Sequence, residues 1–162
     1  MAAKQGHTGA QYKLGMIYNY GKGVAKNLEK ATDWIRRAAD KGDIDAEYSM
    51  AQKYSLGEAV PHDDEKALIW YTRAAEKRDR RAQFKLGMIY EFGKGVAQDY
   101  NRAVYWYTRA AKQGHPLAQY NSGRMHRQGK GTRQDDVVAQ MFFIIAATNG
   151  EEEAIVKRNL GA

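Results

Sequence analysis

The sequence repeats itself every 36 residues, and this period constrains the possible folds more than any other feature. The pattern Leu-Gly-x-x-Tyr begins at Leu14 and again at Leu86, and it becomes Met-Ala-x-x-Tyr from Met50. A period of this length is typical of repeat proteins, in which one small unit cannot bury its apolar face alone and stacks on its neighbours. Equivalent alanines mark the four copies: Ala10, Ala46, Ala82 and Ala118.

Each copy predicts a first helix that ends in a glycine turn. Small and apolar residues recur along this helix with the spacing of one stripe of a 3.6-residue period. Paired glycines, Gly21 and Gly23 in copy one, then allow the positive φ that a chain reversal needs. The stripe of copy one is Ala10, Leu14, Gly15 and Tyr18.

A second helix follows in each copy, and its buried side and both ends are marked in the sequence. In copy one the predicted buried stripe contains Ala31, Ala38 and either Trp34 or Ile35. Because Gly15 and Ala31 are small, the two helices of one copy can approach closely. The predicted N-caps, whose side-chain oxygens can accept from backbone N–H groups, are Asn27, Asp63, Asp99 and Asp135. The predicted ends are Gly42, Gly114 and Gly150, with Arg78 at this position in copy two.

No motif for catalysis stands out in the 162 residues. The chain contains no cysteine, which excludes a disulfide framework, a thiol nucleophile and a thiolate metal site. It has neither Ser-x-x-Lys nor His-Glu-x-x-His, and its Gly-Lys-Gly triplets lack the spacing of a phosphate-binding loop. We therefore predict no catalytic residue, no cofactor site and no metal site, and a chain that is not an enzyme.

Two histidines leave alternatives open. His62 precedes Asp63 and Asp64, so it could join a metal site, although adjacent carboxylates also simply cap a helix. His126 replaces the tyrosine of the first-helix pattern and could line a binding groove.

We predict no signal peptide and no membrane span within these 162 residues. No run approaches the ~18 apolar residues of a membrane span, and the N-terminus lacks the apolar core of a signal peptide. We therefore expect a soluble protein that is cytoplasmic, or periplasmic if a longer parent protein carries a signal outside this segment. The net charge of +7 is spread over all four copies, with local density at 78–81 and 124–133.

The connector between the two helices points to a known family. From Gly15 to Ala31 is 16 residues, where the tetratricopeptide pattern has about 12. With this longer connector, a tryptophan in three copies and the segment 110–115 (Ala-Ala-Lys-Gln-Gly-His), the sequence resembles the Sel-one-like repeat (SLR) family, a relative of the tetratricopeptide class. The resemblance covers essentially the whole chain. The tryptophans are Trp34, Trp70 and Trp106.

The resemblance implies an all-α fold. It implies a right-handed α-α superhelix (solenoid), which here would contain about four 36-residue two-helix repeats plus a closing C-terminal helix. The first helices of the repeats would line a concave face. The family also implies an adaptor or scaffold in signalling or envelope processes, often bacterial. Cysteine-rich relatives, for which β-lactam binding has been claimed, carry a disulfide in each repeat, so that activity is not implied for this cysteine-free chain.

The repeat frame predicts a single solenoid over residues 1–162. The second helix of the last copy is apolar nearly all round, so it has to be covered. A closing helix with Ile155, Val156 and Leu160 can cover part of it, and the rest predicts a missing repeat or a protein contact. The predicted segments are the end of a truncated preceding repeat at 1–9, repeats at about 10–45, 46–81, 82–117 and 118–153, and the closing helix at 154–162.

Partners of a solenoid contact the least repeated residues of one helix layer. Here those residues mix methionine and aromatic side chains with adaptable polar groups, and they become basic towards the C-terminus. We predict a non-enzymatic scaffold or adaptor that binds a peptide or protein segment, with acidic partners included. The candidate residues are Lys13, Met16, Asn19, Tyr20, Ser49, Gln52, Ser55, Leu56, Lys85, Met88, Glu91, Phe92, Asn121, Arg124, Arg127 and Gln128.

Two other functions stay open as alternatives. An envelope-associated glycan-binding or hydrolase-like module would need a deep pocket with convergent polar groups. RNA binding would suit the positive charge, but RNA repeat readers specify bases through polar pairs at fixed positions. Because the repeated residues here are apolar and small, nucleic acid is the least favoured partner.

Overall fold

The computed structural model describes residues 7–149, and in this range the chain forms eight α-helices of 13 residues each and no strand. The predicted all-α fold of two-helix repeats is therefore confirmed. The predicted closing helix at 154–162 lies outside the described residues, as does most of the segment 1–9. The helices are α1 (Thr8–Tyr20), α2 (Leu28–Asp40), α3 (Ile44–Leu56), α4 (Asp64–Glu76), α5 (Arg80–Phe92), α6 (Tyr100–Lys112), α7 (Pro116–Gln128) and α8 (Asp136–Thr148).

The helices form two compact units. Unit 1 ends at Lys77 and contains α1–α4, and unit 2 begins at Arg78 and contains α5–α8. In unit 1, α1 packs on α2, α2 on α3, and α3 on α4, and the same order of contacts holds for α5–α8 in unit 2. None of the described helices is long and apolar enough to cross a lipid bilayer.

The same hydrogen bonds close every connector inside a repeat. In the first, Gly21 ends α1 with a φ of 69°, and the Asn27 N–H donates to the Tyr18 carbonyl at 3.0 Å. The Asn27 side chain also accepts from the Lys30 N–H at 2.8 Å. The predicted glycine turns and N-caps are confirmed, and the long connector holds each cap against the last turn of the first helix. The equivalent caps are Asp63, Asp99 and Asp135.

The structure selects Ile35 rather than Trp34 as the core residue of α2. Ile35 is buried and contacts the backbone of α1 at Gly15, whereas Trp34 is only half-buried. The Cζ atom of Arg37 lies 4.7 Å from the centre of the Trp34 ring, so a cation covers the exposed part of the tryptophan. The residues that take the place of Ile35 in the other repeats are Tyr71, Tyr107 and Phe143.

Close contact between the two helices of a repeat requires a small residue in the first one. A Cβ atom on Gly87 would lie 2.4 Å from the Tyr107 ring, and one on Gly123 would lie 2.7 Å from the Phe143 ring. Both rings are buried, so neither can move aside cheaply. The predicted close approach at this position is confirmed.

Two residues hold backbone conformations that glycine adopts in the other repeats. Ala59 has a φ of 58° and Arg78 a φ of 71°. In this left-handed region a Cβ approaches the neighbouring carbonyl oxygen, which costs about 1–2 kcal/mol. The equivalents of Ala59 are Gly23, Gly95 and Gly131, and those of Arg78 are Gly42 and Gly114.

We expect Ala59→Gly to raise the free energy of unfolding by about 1 kcal/mol, because relief of the Cβ clash exceeds the added entropy of the unfolded chain. Urea denaturation measures this change. The matched control is Gly23→Ala, at the same position of the first repeat, where a Cβ would meet no atom within 4 Å. Gly23→Ala should lower the free energy of unfolding by a similar amount. If neither variant changed this free energy, the backbone at Ala59 would not be strained.

Candidate partner-binding surfaces

In unit 1, the first helices α1 and α3 enclose a groove that brings candidate residues together. The cavity has a volume of about 200 Å³. Its lining alternates apolar side chains with amides and a hydroxyl, which can adapt their hydrogen bonds to different partners. We call it the unit-1 groove, and it is lined by Met16, Asn19, Tyr20, Ile35, Ser49, Gln52, Lys53, Leu56 and Glu58.

The cation in the unit-1 groove, Lys53, is buried, and a neighbouring carboxylate compensates its charge. Its Nζ donates to the Asn19 Oδ1 at 3.2 Å and lies 3.6 Å from a carboxylate oxygen of Glu58. Lys53 is not among the residues predicted from the sequence, although a lysine at a position that is apolar in the other repeats was the available signal. Because its charge is compensated inside the protein, Lys53 positions Asn19 rather than attracting an anion. The apolar equivalents are Ile17, Ile89 and Met125.

The first helices of repeats one to three, α1, α3 and α5, each end with an exposed apolar side chain. The exposed fractions are 62% for Tyr20, 74% for Leu56 and 59% for Phe92. These residues occupy the same position of the repeat, and the fourth copy has Gln128 there, also exposed. Within unit 1, Tyr20 and Leu56 both line the unit-1 groove, and exposed apolar side chains that share a groove indicate a contact surface rather than isolated exceptions.

In unit 2, a buried carboxylate joins α5, α6 and α7. Glu91 is only 5% exposed. One of its oxygens accepts from the Tyr107 hydroxyl at 2.7 Å, and the other accepts from Nη2 of Arg124 at 2.5 Å. Burial, and after it the bond to Glu91, raises the pKa of the Tyr107 hydroxyl well above its usual value, so it remains a donor.

The sequence predicts that Glu91 faces a partner directly, whereas its carboxylate is buried between helices. Its carboxylate also compensates Arg124, whereas Arg127 in the last turn of α7 is an exposed cation. The Arg127 Cζ lies 5.1 Å from the centre of the Phe143 ring. We call the remaining candidates the unit-2 surface: Lys85, Met88, Asn121 and Arg124, which are half-buried, and Phe92, Arg127 and Gln128, which are exposed. Lys13 is exposed on α1 outside the unit-1 groove lining.

The two histidines singled out in the sequence, His62 and His126, make contacts within the protein. His126 stacks on Phe142, with ring centres 5.8 Å apart, so it replaces a packing tyrosine. His62 lies 3.2 Å from Asp64. Among the described residues, no three His, Asp or Glu side chains come together as a metal site would require.

His115 caps α7 and stacks on Phe84. Its Nδ1 accepts from the Ala118 N–H at 3.3 Å, and the two ring centres are 4.4 Å apart. Burial, and after it the nearby Arg80 guanidinium, lowers the pKa of His115. The folded protein therefore holds the neutral imidazole more strongly than the unfolded chain does.

We expect the stability contributed by His115 to be complete above about pH 7. It should be lost as the pH falls below about 6.5, which is the ordinary pKa of histidine in an unfolded chain. The loss is measured as the decrease in the thermal unfolding temperature between about pH 7 and pH 5. His115→Asn keeps a cap acceptor but does not titrate, so its stability should depend less on pH. Identical pH profiles for the two proteins would contradict the assignment.

The Sel1 repeat family model matches the chain in four consecutive segments, at residues 8–43, 44–79, 80–115 and 116–151. The segments begin at the first residues of α1, α3, α5 and α7. No match is found among curated proteins.

Solved structures give the same result. A protective antigen of uropathogenic Escherichia coli with an SLR fold is 40% identical, with a TM-score of 0.89 over 92% of this chain and 32% of the antigen. A Sel1 repeat protein from Oxalobacter formigenes is 37% identical, with a TM-score of 0.90 over 99% of this chain and 46% of that protein. The present chain therefore spans less than half the length of both relatives.

A more distant likeness is to cysteine rich protein B of Helicobacter pylori, which is 23% identical. Its TM-score is 0.62 over 80% of this chain and 93% of that protein. At this identity the likeness concerns the fold alone.

Proposed function

Because this chain belongs to the Sel1 repeat family, we propose that it is a non-enzymatic scaffold that binds a peptide or protein segment on its first helices. Sel1 repeat proteins are generally scaffolds for protein interactions, and the fold is typically non-catalytic. The proposal adds the binding face and the class of ligand.

The observation that carries the proposal is the recurrence of an exposed apolar side chain at the end of three first helices. Tyr20, Leu56 and Phe92 occupy one repeat position, and Tyr20 and Leu56 stand at the lip of the unit-1 groove. A segment with apolar side chains could bury Tyr20 and Leu56 while its backbone meets the amides of Asn19 and Gln52. This combination of apolar anchors and polar groups is the usual anatomy of a peptide site.

The charges on the proposed surfaces favour an acidic partner only weakly in unit 1 and more clearly in unit 2. In unit 1 the Lys53 charge is already compensated by Glu58. In unit 2 Glu91 compensates Arg124, which leaves Lys85 and Arg127 to attract a carboxylate. We therefore propose that apolar contacts supply affinity and that Arg127 sets orientation.

A glycan-binding or hydrolytic function finds less support in the described residues. Such a site needs titratable groups converging in a large pocket, whereas the unit-1 groove on the proposed face offers about 200 Å³ and a compensated lysine. A separate cavity of about 480 Å³ in unit 1 does bring titratable side chains together, but its Lys77 and Glu47 are paired with each other at 2.7 Å. No second function is proposed.

The test uses peptides selected from a random library of about 16 residues displayed on phage, with the intact chain as bait. Isothermal titration then gives the Kd of each selected peptide for the wild type and for Tyr20→Ser and Leu56→Ser. We expect each substitution to weaken binding about tenfold, as loss of an apolar anchor does.

The control is Ile69→Ser, because Ile69 is 52% exposed on the second helix α4. It should leave the Kd unchanged. Equal weakening by Ile69→Ser, or peptides indifferent to Tyr20 and Leu56, would show that the first helices are the wrong surface.

A further inference from the structure

Helix α8 exposes an apolar stripe. The exposed fractions are 81% for Val137, 48% for Met141, 55% for Ile144 and 37% for Ile145. With Asp136 and Gln140 these residues line a cavity of about 570 Å³. We call the four apolar residues the α8 stripe, and it is distinct from the unit-1 groove and the unit-2 surface.

A further repeat in the same register would leave the α8 stripe open. In α2, which packs on α3 of the next repeat, the four equivalent residues are charged and all exposed. In α6, which packs on α7, three equivalents are exposed and Thr108 is half-buried. The equivalents in α2 are Glu29, Asp33, Arg36 and Arg37, and those in α6 are Asn101, Tyr105, Thr108 and Arg109.

On the side of α8 that would receive a further repeat, one position is polar and exposed. Gln140 is exposed there, whereas its equivalent Thr32 is buried in α2 and Val104 is half-buried in α6. The α8 stripe is thus apolar where α2 is charged, and stacking of the next repeat leaves these positions of α2 exposed. An apolar stripe at such positions suits a contact other than stacking of another repeat.

We propose that the α8 stripe is the interface of a symmetric homodimer, in which α8 packs antiparallel on α8 of a second copy. Val137, Met141 and Ile144 are spaced i, i+4 and i+7, which is the seam of a two-helix contact. A two-fold axis makes such a seam self-complementary. Met141 then packs against Ile144 of the second copy, and the reverse contact follows by symmetry.

Charge complementarity selects a second copy as the occupant and fixes its direction. Asp136 lies at the N-terminal end of the stripe. At the other end Lys112 of α6 lines a cavity of about 380 Å³ together with Met141, Ile145 and Asn149. Antiparallel packing brings Asp136 towards Lys112 of the second copy, twice by symmetry, whereas parallel packing would bring like charges together.

The dimer should be weak, because one helix per copy buries less than the roughly 800 Å² per partner of a standard interface. Sedimentation equilibrium of the intact chain from about 5 to 500 µM should show a monomer–dimer equilibrium with a micromolar Kd. Met141→Lys and Ile144→Ser, both at exposed positions, should each raise this Kd about tenfold. A wild type that stays monomeric throughout would overturn the proposal.

A charge swap tests the orientation. Asp136→Lys and Lys112→Asp should each weaken the dimer several-fold, and the double variant should restore it. The control is Asp33→Lys, at the position of α2 equivalent to Met141, and it should leave the dimer unchanged. A dimer that tolerates Met141→Lys, or a double variant weaker than both singles, would show that another surface holds the copies together. No peptide enters this test, so its result is independent of the proposed scaffold function.

Discussion

Replacing Glu91 with alanine should lower the free energy of unfolding by about 3 kcal/mol, because it leaves two polar groups without their partner. The Tyr107 hydroxyl is buried and donates to Glu91, and the half-buried Arg124 would lose its compensating charge. Urea denaturation followed by circular dichroism measures the loss.

A double-mutant cycle separates this ion pair from the loss of packing. Glu91→Ala and Arg124→Ala together should cost at least about 1.5 kcal/mol less than the sum of the two single losses. Arg102→Ala, which removes the exposed partner of Asp99, is the control and should cost no more than about 1 kcal/mol. Additive losses for Glu91 and Arg124 would mean that the buried pair contributes nothing of its own.

Gly87→Ala should lower the free energy of unfolding by about 2 kcal/mol, because overpacking against a buried ring exceeds the gain in helix propensity. The added Cβ would lie 2.4 Å from Cδ1 and 2.5 Å from Cε1 of Tyr107, a ring that is 0% exposed. Thermal and urea denaturation measure the change.

Gly9→Ala is the matched control, since Gly9 lies in α1 and a Cβ there would meet no atom within 4 Å. It should stabilise the protein by up to about 1 kcal/mol through helix propensity alone. If Gly87→Ala were also stabilising, the close approach of α5 and α6 would not depend on glycine.

Much of the fold follows from the sequence because its signals are local and occur four times. The glycine turns and the caps at Asn27, Asp63, Asp99 and Asp135 depend on the conformation of a few neighbouring residues. Repetition then distinguishes these signals from chance, because the same residue types recur 36 positions apart.

The choice between Trp34 and Ile35 was beyond the sequence for a physical reason. Both are apolar, adjacent and compatible with one helical stripe, and a difference of one residue rotates the side chain by about 100°. Only the approach of Gly15 decides which side chain is enclosed. Hydrophobicity alone would favour the larger Trp34, which instead lies under Arg37.

The binding surfaces could be predicted only in part. Met16, Asn19, Tyr20 and Gln52 share a groove because their positions lie off the packing stripe of regular helices. Glu91 occupies an equally exposed position by periodicity, yet it is buried. Its burial depends on Tyr107 and Arg124 from two other helices, and no pattern within α5 shows those contacts.

The most direct test of the scaffold proposal is a nuclear magnetic resonance titration of the ¹⁵N-labelled chain with a peptide selected from the random library. We expect the backbone amide shifts to change mainly in the first helices, centred on Tyr20 and Leu56 in the unit-1 groove and on Phe92 in the unit-2 surface. Shift changes confined to α2, α4, α6 and α8, with the first helices unaffected, would contradict the account.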